Sequence, residues 1–335
     1  VAIIGLPRIG KSSLAWNSIY SQREELLKKK IFIIRINSGE NKSSLEYFKN
    51  LIYKIWEVIS DDSKFKETLN KIEHLKKTIL EKESIDIEFS GCIQRLFKIL
   101  QKEGLRVIYI LDEFDNVKNF FNIANFQLLR ELSTNPETQV ALLTISRKTL
   151  REIEPENGAL SNFYQIFHDL HLGMFSNEDF DLYWNYARSQ NVEIKNGTIK
   201  KIEELCSKHP FLLDLINNEL FNHLTNTDID FDQLFNKTID TIRLKILTEY
   251  SSIVKLMSEE RLTSPAIQLI VGPTYNMHQI QIETLLKYQL IKIVDGNYVG
   301  FCEYFNDYLR LLQKEIDVWP LWSEAETELR SVIKI

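Results

Sequence analysis

The chain has 335 residues, of which 44% are apolar and 26% charged, and its formal net charge is −6. This length allows two or three domains, and the composition is that of a globular protein. The negative charge argues against nonspecific binding of nucleic acid by the whole surface, and no apolar run is long enough to predict a membrane span. The three cysteines, Cys92, Cys206 and Cys302, are far apart and lack metal-ligand spacing, so we expect reduced thiols and a cytoplasmic protein.

The chain opens with a short apolar strand, Val1 to Ile4, which runs into a loop bounded by glycines. Gly5 to Ser12 read Gly-Leu-Pro-Arg-Ile-Gly-Lys-Ser, a full match to the phosphate-binding pattern G-x-x-x-x-G-K-[ST]. A strand that ends at glycine and continues as a helix directs successive backbone N–H groups into one concavity, which holds phosphate oxygens. Because residue 1 already lies inside the strand, we also expect further chain upstream.

The parts of this loop have separate predicted roles in binding a nucleoside triphosphate. Gly5 and Gly10 permit the turn and the close approach of the backbone. Lys11 is expected to contact the β- and γ-phosphates, and the Ser12 hydroxyl to ligate Mg²⁺. The predicted nucleotide-binding residues of the loop and the first helical turn are Gly5, Pro7, Arg8, Ile9, Gly10, Lys11, Ser12 and Ser13.

Alternating strands and helices follow the loop. Near-continuous apolar runs predict buried strands, and apolar residues at three- and four-residue spacing predict helices. We expect strands at residues 31–37, 106–111, 140–145 and 167–172, and helices at 11–27, 45–80, 89–101 and 123–133. This order predicts the α/β fold of a P-loop NTPase, a parallel sheet with helices on both faces.

The catalytic residues are predicted at the ends of two of these strands. The apolar run before Asp112 and Glu113 places Asp112 to bind Mg²⁺ through a water and Glu113 to deprotonate the attacking water. Asp115 is either a second acid or, in the interpretation we favour, a cap for the next turn. A later strand ends at Arg147, which we expect to contact the γ-phosphate and stabilise transition-state charge. The alternative for Arg147 is a solvated side chain.

After Gly173 the pattern is helical and then changes again. Helices are predicted from Ser176, over 198–206, after His209-Pro210, over 252–259, 265–271 and 277–288, with a long connector over 232–250. An Asp-Gly hairpin over 290–301 completes the pattern of a winged helix. We therefore predict a nucleotide-binding domain over 1–173, a helical lid over 174–245, a winged helix over 246–316 and the start of a C-terminal helical segment over 317–335.

These motifs together resemble the STAND class of signal-transduction ATPases, relatives of the AAA+, NACHT and NB-ARC proteins. The resemblance rests on Gly5–Ser12, on Leu111-Asp-Glu113, on Thr144-Ile-Ser-Arg147 and on Lys208-His-Pro-Phe-Leu-Leu213. The last segment resembles the lid motif whose proline touches adenine, which implies that Pro210 binds the nucleotide. The winged helix resembles that of prokaryotic members found in conflict and antiviral systems, although Lys208 stands where the family often has glycine and no Met-His-Asp motif is present.

The resemblance implies a molecular switch. In that class ADP holds the lid and the winged helix closed, and exchange for ATP opens and oligomerises the protein. It therefore implies ATP or ADP with Mg²⁺ as ligands, slow Mg²⁺-dependent ATP hydrolysis, and other copies of the chain as partners. Flanking sensor and effector domains, or a separate trigger protein, are expected as further partners, and a membrane is not.

Two other functions stay open at this point. The first is a DNA-acting AAA+ ATPase of the origin-recognition or transposition type, for which the winged helix would read DNA. Residues 245–310 hold six basic and seven acidic residues, which disfavours that function. The second is a scaffold that holds ATP without hydrolysing it, although Lys11, Asp112 and Glu113 are all intact. A metabolic kinase is disfavoured because no acceptor pocket follows the fourth strand.

Overall fold

The computed structural model describes residues 1–155, 161–189, 196–224, 231–272 and 277–315. They belong to two compact units, of which the first is Val1–Leu172 and the second begins at Gly173. The C-terminal segment predicted over 317–335 lies outside the described residues. Among those residues, no helix is both long and apolar enough to cross a membrane.

The first unit is built on a five-stranded sheet with the order β2-β3-β4-β1-β5, in which all neighbouring strands are parallel. Its strands are β1 (Ala2–Ile4), β2 (Ile31–Asn37), β3 (Arg106–Asp112), β4 (Ala141–Ser146) and β5 (Asp169–His171). The predicted parallel sheet is confirmed. Because β4 lies between β1 and β3, the loop after β1 and the acids after β3 flank the end of β4 at one edge of the sheet.

Helices cover both faces of this sheet, as predicted. They are α1 (Lys11–Ser18), α2 (Arg23–Lys28), α3 (Ser44–Ser60), α4 (Lys66–Glu81), α5 (Ile87–Lys102), α6 (Ile123–Thr134) and α7 (Leu150–Ile153). Side chains alternate between the faces along each strand. Ile3 and Ile145 pack with Ala15 of α1 in a small cluster, whereas Ala2 and Ile4 join the larger core under α3, α4, α5 and α6.

The prediction of a single helix over 11–27 is wrong, because the helix that begins at Lys11 is shorter. It ends at Ser18, and a turn of 3₁₀ helix separates it from α2. In that turn Tyr20 stacks on Trp16, with ring centroids 3.8 Å apart. Arg23 lies over the same Tyr20 ring at 4.8 Å. Apolar spacing alone does not indicate this break. Trp16 and Tyr20 keep the four-residue spacing of a helix, although the backbone leaves the α-helical conformation after Ser18.

The helix predicted over 45–80 is two helices, α3 and α4. They are separated by a segment that contains Asp61, Asp62 and Ser63. The Asp62 side chain accepts a hydrogen bond from the Lys64 amide at 3.0 Å. Aspartate and serine side chains compete in this way with helical hydrogen bonds, which explains the interruption.

The second unit consists of helices and one hairpin within the described residues. Its elements are α8 (Asn177–Ser189), α9 (Asn196–Cys206), α10 (Pro210–Leu224), α11 (Phe231–Glu259), α12 (Thr263–Ile270), α13 (Gln279–Lys287), β6 (Ile291–Val294), β7 (Asn297–Gly300) and α14 (Glu303–Glu315). β6 and β7 are antiparallel, as predicted. Asp295 and Gly296 both have positive φ, 48° and 78°, which is the geometry of a tight Asp-Gly turn. The winged-helix architecture stays a prediction.

Helix α11 joins two segments that we expected to be separate, a connector over 232–250 and a helix over 252–259. The segment contains neither glycine nor proline between Phe231 and Glu259, so nothing in the backbone interrupts it. The predicted boundary between the lid and the winged helix, at 245/246, falls inside this helix. That boundary also stays a prediction.

Tyr250 of α11 lies at the centre of the second unit. Its hydroxyl donates to the Leu205 carbonyl at 3.0 Å and lies 3.3 Å from the Cys302 sulfur. Its ring contacts Phe301 and Phe305, at centroid distances of 6.1 and 5.3 Å. Burial raises the pKa of Tyr250, so the hydroxyl stays protonated and can keep donating. One side chain thus connects α9, α11 and α14.

Candidate functional site

The loop after β1 depends on two glycines. A Cβ on Gly5 would lie 2.4 Å from the Leu172 carbonyl oxygen, so only glycine lets the chain leave β1 this close to the end of β5. Gly10 has φ 96° at the start of α1, a conformation that side chains rarely adopt. Between them, Ile9 is buried beneath the loop. The sequence pattern therefore corresponds to a backbone that only glycine at these two positions allows.

Lys11, the first residue of α1, donates into the loop itself. Its ammonium group bonds the carbonyl oxygens of Gly5 at 2.9 Å and Leu6 at 2.6 Å. Burial lowers the pKa of Lys11 from 10.5 to about 8, against the raising effect of nearby Asp115 and Asp112. The Lys11 ammonium group is therefore partly desolvated. An incoming anion can replace the two carbonyl oxygens as its hydrogen-bond partner.

Asp112, at the end of β3, has a different partner on each carboxylate oxygen. Oδ1 accepts from the Ser12 hydroxyl at 3.2 Å and from the Glu113 amide at 3.0 Å. Oδ2 forms an ion pair with Arg35 of β2 at 2.5 Å. The side chain of Asp112 is only 4% exposed, so these contacts satisfy a nearly buried charge.

Glu113 has an unusual backbone conformation. Its φ is 50°, in the left-handed region that residues other than glycine seldom occupy. Its carboxylate accepts a weak hydrogen bond from the Asn116 side chain at 3.4 Å. A Cβ on Gly39 would lie 2.6 Å from the same carboxylate, so that glycine leaves the space Glu113 occupies. Strained backbone of this kind is often found at functional sites.

Arg147, just beyond β4, is held by Asp115. The Asp115 carboxylate accepts from the Arg147 backbone amide at 3.2 Å, and the guanidinium contacts it at 2.5 and 2.7 Å. The interpretation of Asp115 as a turn cap is wrong, because its carboxylate bonds the amide and guanidinium of Arg147, which lies outside that turn. Arg147 is 40% exposed and Asp115 only 5%, so the buried acid holds the Nε and Nη2 edge of a guanidinium that is still partly exposed to solvent.

These groups line one cavity of about 360 Å³. The lining residues are Pro7, Arg8, Lys11, Ser12, Asp112, Glu113, Asp115, Asn116, Ile145, Ser146 and Arg147. The structure thus places both predicted catalytic residues and both predicted metal ligands beside half of the predicted loop residues. Gly5, Ile9 and Gly10 shape the loop rather than line the cavity, and Ser13 is exposed on α1. Pro210 is the first residue of α10, in the second unit.

Beyond the predicted residues, the cavity is also lined by Asp115, Asn116, Ile145 and Ser146, and Arg35 pairs with Asp112. The sequence indicates Asp115 only as a second acid or a cap, because its partner Arg147 is 32 residues away. Asn116 carries no signal beyond its position after Asp112 and Glu113. Arg35 does carry one, since it is the single charged residue in the strand Ile31–Asn37.

A family described as novel STAND NTPase 2 matches residues 65–246, more than half of the chain. The chain belongs to this family of STAND nucleoside triphosphatases. The predicted relationship and the predicted ATPase activity are thereby confirmed at the level of the family. No curated protein matches the chain.

Solved structures with the same fold include two archaeal proteins. A Walker-type ATPase of Pyrococcus abyssi is 16% identical, with 92% of this chain and 90% of that chain covered and a TM-score of 0.57. The ORC2 protein of Aeropyrum pernix, in ADPNP–ADP complexes, is 12% identical, with 94% and 88% covered and a TM-score of 0.50. At these identities the similarity confirms the P-loop NTPase fold.

Replacing Lys11 tests whether this cavity binds a nucleotide. Lys11→Ala should weaken nucleotide affinity roughly 10- to 100-fold, because a charged hydrogen-bond donor to the phosphates is lost. Isothermal titration calorimetry with ATP and with ADP measures the effect, and thermal unfolding checks that the fold is kept.

The matched control is Lys29→Ala. Lys29 pairs with exposed Glu25 on the surface of the same unit, and its removal takes away the same charge. Unchanged ATP affinity in Lys11→Ala, or an equal loss in Lys29→Ala, would contradict the assignment of the loop.

Proposed function

From the membership in the STAND family, we propose that this protein is an ATP-dependent switch that binds Mg²⁺·ATP in the cavity beside Lys11 and Asp112. The observation that carries the proposal is the convergence of loop, acids and arginine on one cavity at the edge of the sheet. The loop after β1, the acids after β3 and the arginine after β4 are far apart in the chain. They meet at this cavity in an arrangement suited to phosphoryl transfer.

The loop and α1 would hold the phosphates. Backbone N–H groups at the start of α1 face an incoming anion, and Lys11 would exchange its two carbonyl partners for phosphate oxygens. Ser12 and Asp112 would hold Mg²⁺, since they offer hard oxygen ligands 3.2 Å apart. When bound, the ion would neutralise charge that develops on the phosphates.

Glu113 would act as the general base for the attacking water. It follows the metal ligand directly and its carboxylate lines the cavity, where its hydrogen bond from Asn116 is long enough to be exchanged for water. The amide of Glu113 donates to Asp112, so the base and the metal ligand are held by one contact. This arrangement supports hydrolysis rather than binding alone.

Arg147 would distinguish ATP from ADP. Its guanidinium lies at the cavity, anchored on Asp115, and 40% of the side chain is exposed and can reach a γ-phosphate. ADP has no group at that place. A ligand shifts a conformational equilibrium only by its differential contacts, and this contact is one that ATP alone would make.

The second unit would carry the response. In this proposal its helices form a lid whose Pro210 contacts the adenine, and α11 to α14 with the hairpin form a winged helix. Exchange of ADP for ATP would release these elements and allow copies of the chain to associate. The linked output would be an effector in antiphage or conflict defence, controlled through flanking domains or a trigger protein.

The alternative is a DNA-acting ATPase, since the ORC2 fold is shared. The second unit gives this alternative little support. Helix α13, the element that would enter a DNA groove, carries one lysine, Lys287, against Glu283. The hairpin offers one exposed cation, Lys292, close to the acid Asp295, and its exposed Ile293 and Val294 are apolar.

Replacing Glu113 separates hydrolysis from binding. Glu113→Gln should leave ATP affinity within about threefold and slow turnover roughly 10²- to 10⁴-fold, because the amide has no basicity. Steady-state phosphate release and calorimetry measure the two quantities. Glu24→Gln, on the exposed face of α2, is the matched control and should hydrolyse ATP normally. Unchanged turnover in Glu113→Gln would assign water activation to another group.

Replacing Arg147 or its anchor tests the sensing of the γ-phosphate. Arg147→Ala should reduce the ratio of ATP to ADP affinity by about tenfold, the typical loss for a charged hydrogen bond. Asp115→Asn should lower the same ratio by less, because asparagine keeps an acceptor for the Arg147 amide. Arg151→Ala, an exposed arginine nearby, is the control. Equal losses for both nucleotides would make Arg147 a structural residue.

The switch itself is tested by hydrogen exchange. Amides of α12, α13 and the β6–β7 hairpin should exchange differently with ADP and with ATP bound in Glu113→Gln, and Lys11→Ala should show no difference. Salt-sensitive binding of duplex DNA by the full chain, together with unchanged exchange, would favour the DNA-acting alternative.

A further inference from the structure

Arg35 forms an ion pair with the side chain that would coordinate the metal. Its Nη2 lies 2.5 Å from Oδ2 of Asp112, which is 4% exposed, while half of the Arg35 side chain is exposed. A guanidinium at this distance neutralises much of the charge with which Asp112 would attract a divalent ion. The residue therefore bears directly on metal binding.

The geometry divides the carboxylate between two functions. Oδ1 faces Ser12 and the Glu113 amide, whereas Oδ2 is occupied by Arg35. A metal ion held by Ser12 and Oδ1 would lie on the other side of the same carboxylate from the guanidinium. Arg35 thus fixes which oxygen is presented, and it also adds a positive charge close to the place of the ion.

The position of Arg35 in the sheet explains how it reaches Asp112. In the parallel pair of β2 and β3, Arg35 lies opposite Ile110 and Asn37 lies opposite Asp112. The side chain therefore extends forward by one strand repeat to reach the carboxylate. It also lines a small cleft with Ser12, Trp16 and Asp112, next to the larger cavity.

We propose that Arg35 is a positioning residue that keeps divalent metal off Asp112 until a nucleoside triphosphate arrives. This inference rests on the proposed function, because it takes Ser12 and Asp112 as the metal ligands. In the nucleotide-free chain the ion would meet an acid that is already paired and a cation beside it. A triphosphate brings enough negative charge to outweigh that cation, so the metal enters together with its nucleotide.

A purely structural ion pair gives the opposite expectation. If Arg35 only joined β2 to β3, removing it would loosen Asp112 and would lower the metal affinity or leave it unchanged. Under our proposal the same change raises the affinity of the nucleotide-free chain for metal. The direction of the effect therefore decides between the two.

The test uses the full chain without nucleotide and Mn²⁺ as the probe, with free Mn²⁺ measured by electron paramagnetic resonance. Arg35→Gln should bind Mn²⁺ about two- to fivefold more tightly than the natural chain, the change expected from a half-exposed charge pair. Arg35→Lys, which keeps a cation, should stay near the natural value. Arg106→Gln, at the opposite end of β3, removes the same charge far from Asp112 and should change nothing.

A double variant shows whether the gain in Mn²⁺ affinity arises at Asp112. Arg35→Gln combined with Asp112→Asn should lose it, because the proposed ligand is gone. Unchanged or weaker Mn²⁺ binding in Arg35→Gln, an equal gain in Arg106→Gln, or a gain that survives Asp112→Asn would each overturn the proposal. ATP binding by the natural chain is measured separately, so a failure of the proposed function is seen there and not in the Mn²⁺ result.

Discussion

The candidate site depends on one hydrogen bond across the sheet, from the Ser12 hydroxyl to Oδ1 of Asp112. The two residues are 100 positions apart: Ser12 lies in α1, which follows β1, whereas Asp112 ends β3, and β4 separates these two strands. Their distance is therefore set by two registers, Ile4 opposite Ser146 and Leu111 opposite Thr144. A slip of one residue in either register would shift that strand by about 3.3 Å relative to β4 and would turn its side chains to the other face of the sheet. Ser12 and Asp112 would then no longer meet. β1 is buried throughout and β3 over its last four residues, so such a slip would disrupt packing on both faces of the sheet.

Three cations at the site, Lys11, Arg147 and Arg35, already have partners within the protein. Lys11 bonds loop carbonyls, Arg147 bonds Asp115, and Arg35 bonds Asp112. A bound triphosphate must therefore compete for these groups, and every exchange changes the contacts of a neighbouring element. Such coupling between ligand and protein contacts is what allows binding to shift a conformational equilibrium. A site with free cations would bind more tightly and signal less.

The sequence predicted those parts of the molecule that depend on short patterns. The loop, the acids after β3 and the Asp-Gly hairpin each carry their information within a few residues. The breaks after Ser18 and Ser60 were missed because ring stacking and an aspartate turn, not apolar spacing, decide them. The pairs of Asp115 with Arg147 and of Arg35 with Asp112 join residues 32 and 77 positions apart, which only the sheet order brings together.

Glu113 shows how these constraints combine at the reacting end of the site. Its left-handed backbone costs about 1–3 kcal/mol and persists only where neighbours determine it fully. Its amide is bound by Asp112, and its carbonyl accepts from the Asn116 amide at 3.0 Å. Because Asp112 also holds Ser12 and Arg35, a change at this proposed metal ligand would reach the proposed base through a single hydrogen bond. Under the proposed function, the strain at Glu113 therefore lies where metal binding at Asp112 would act on it.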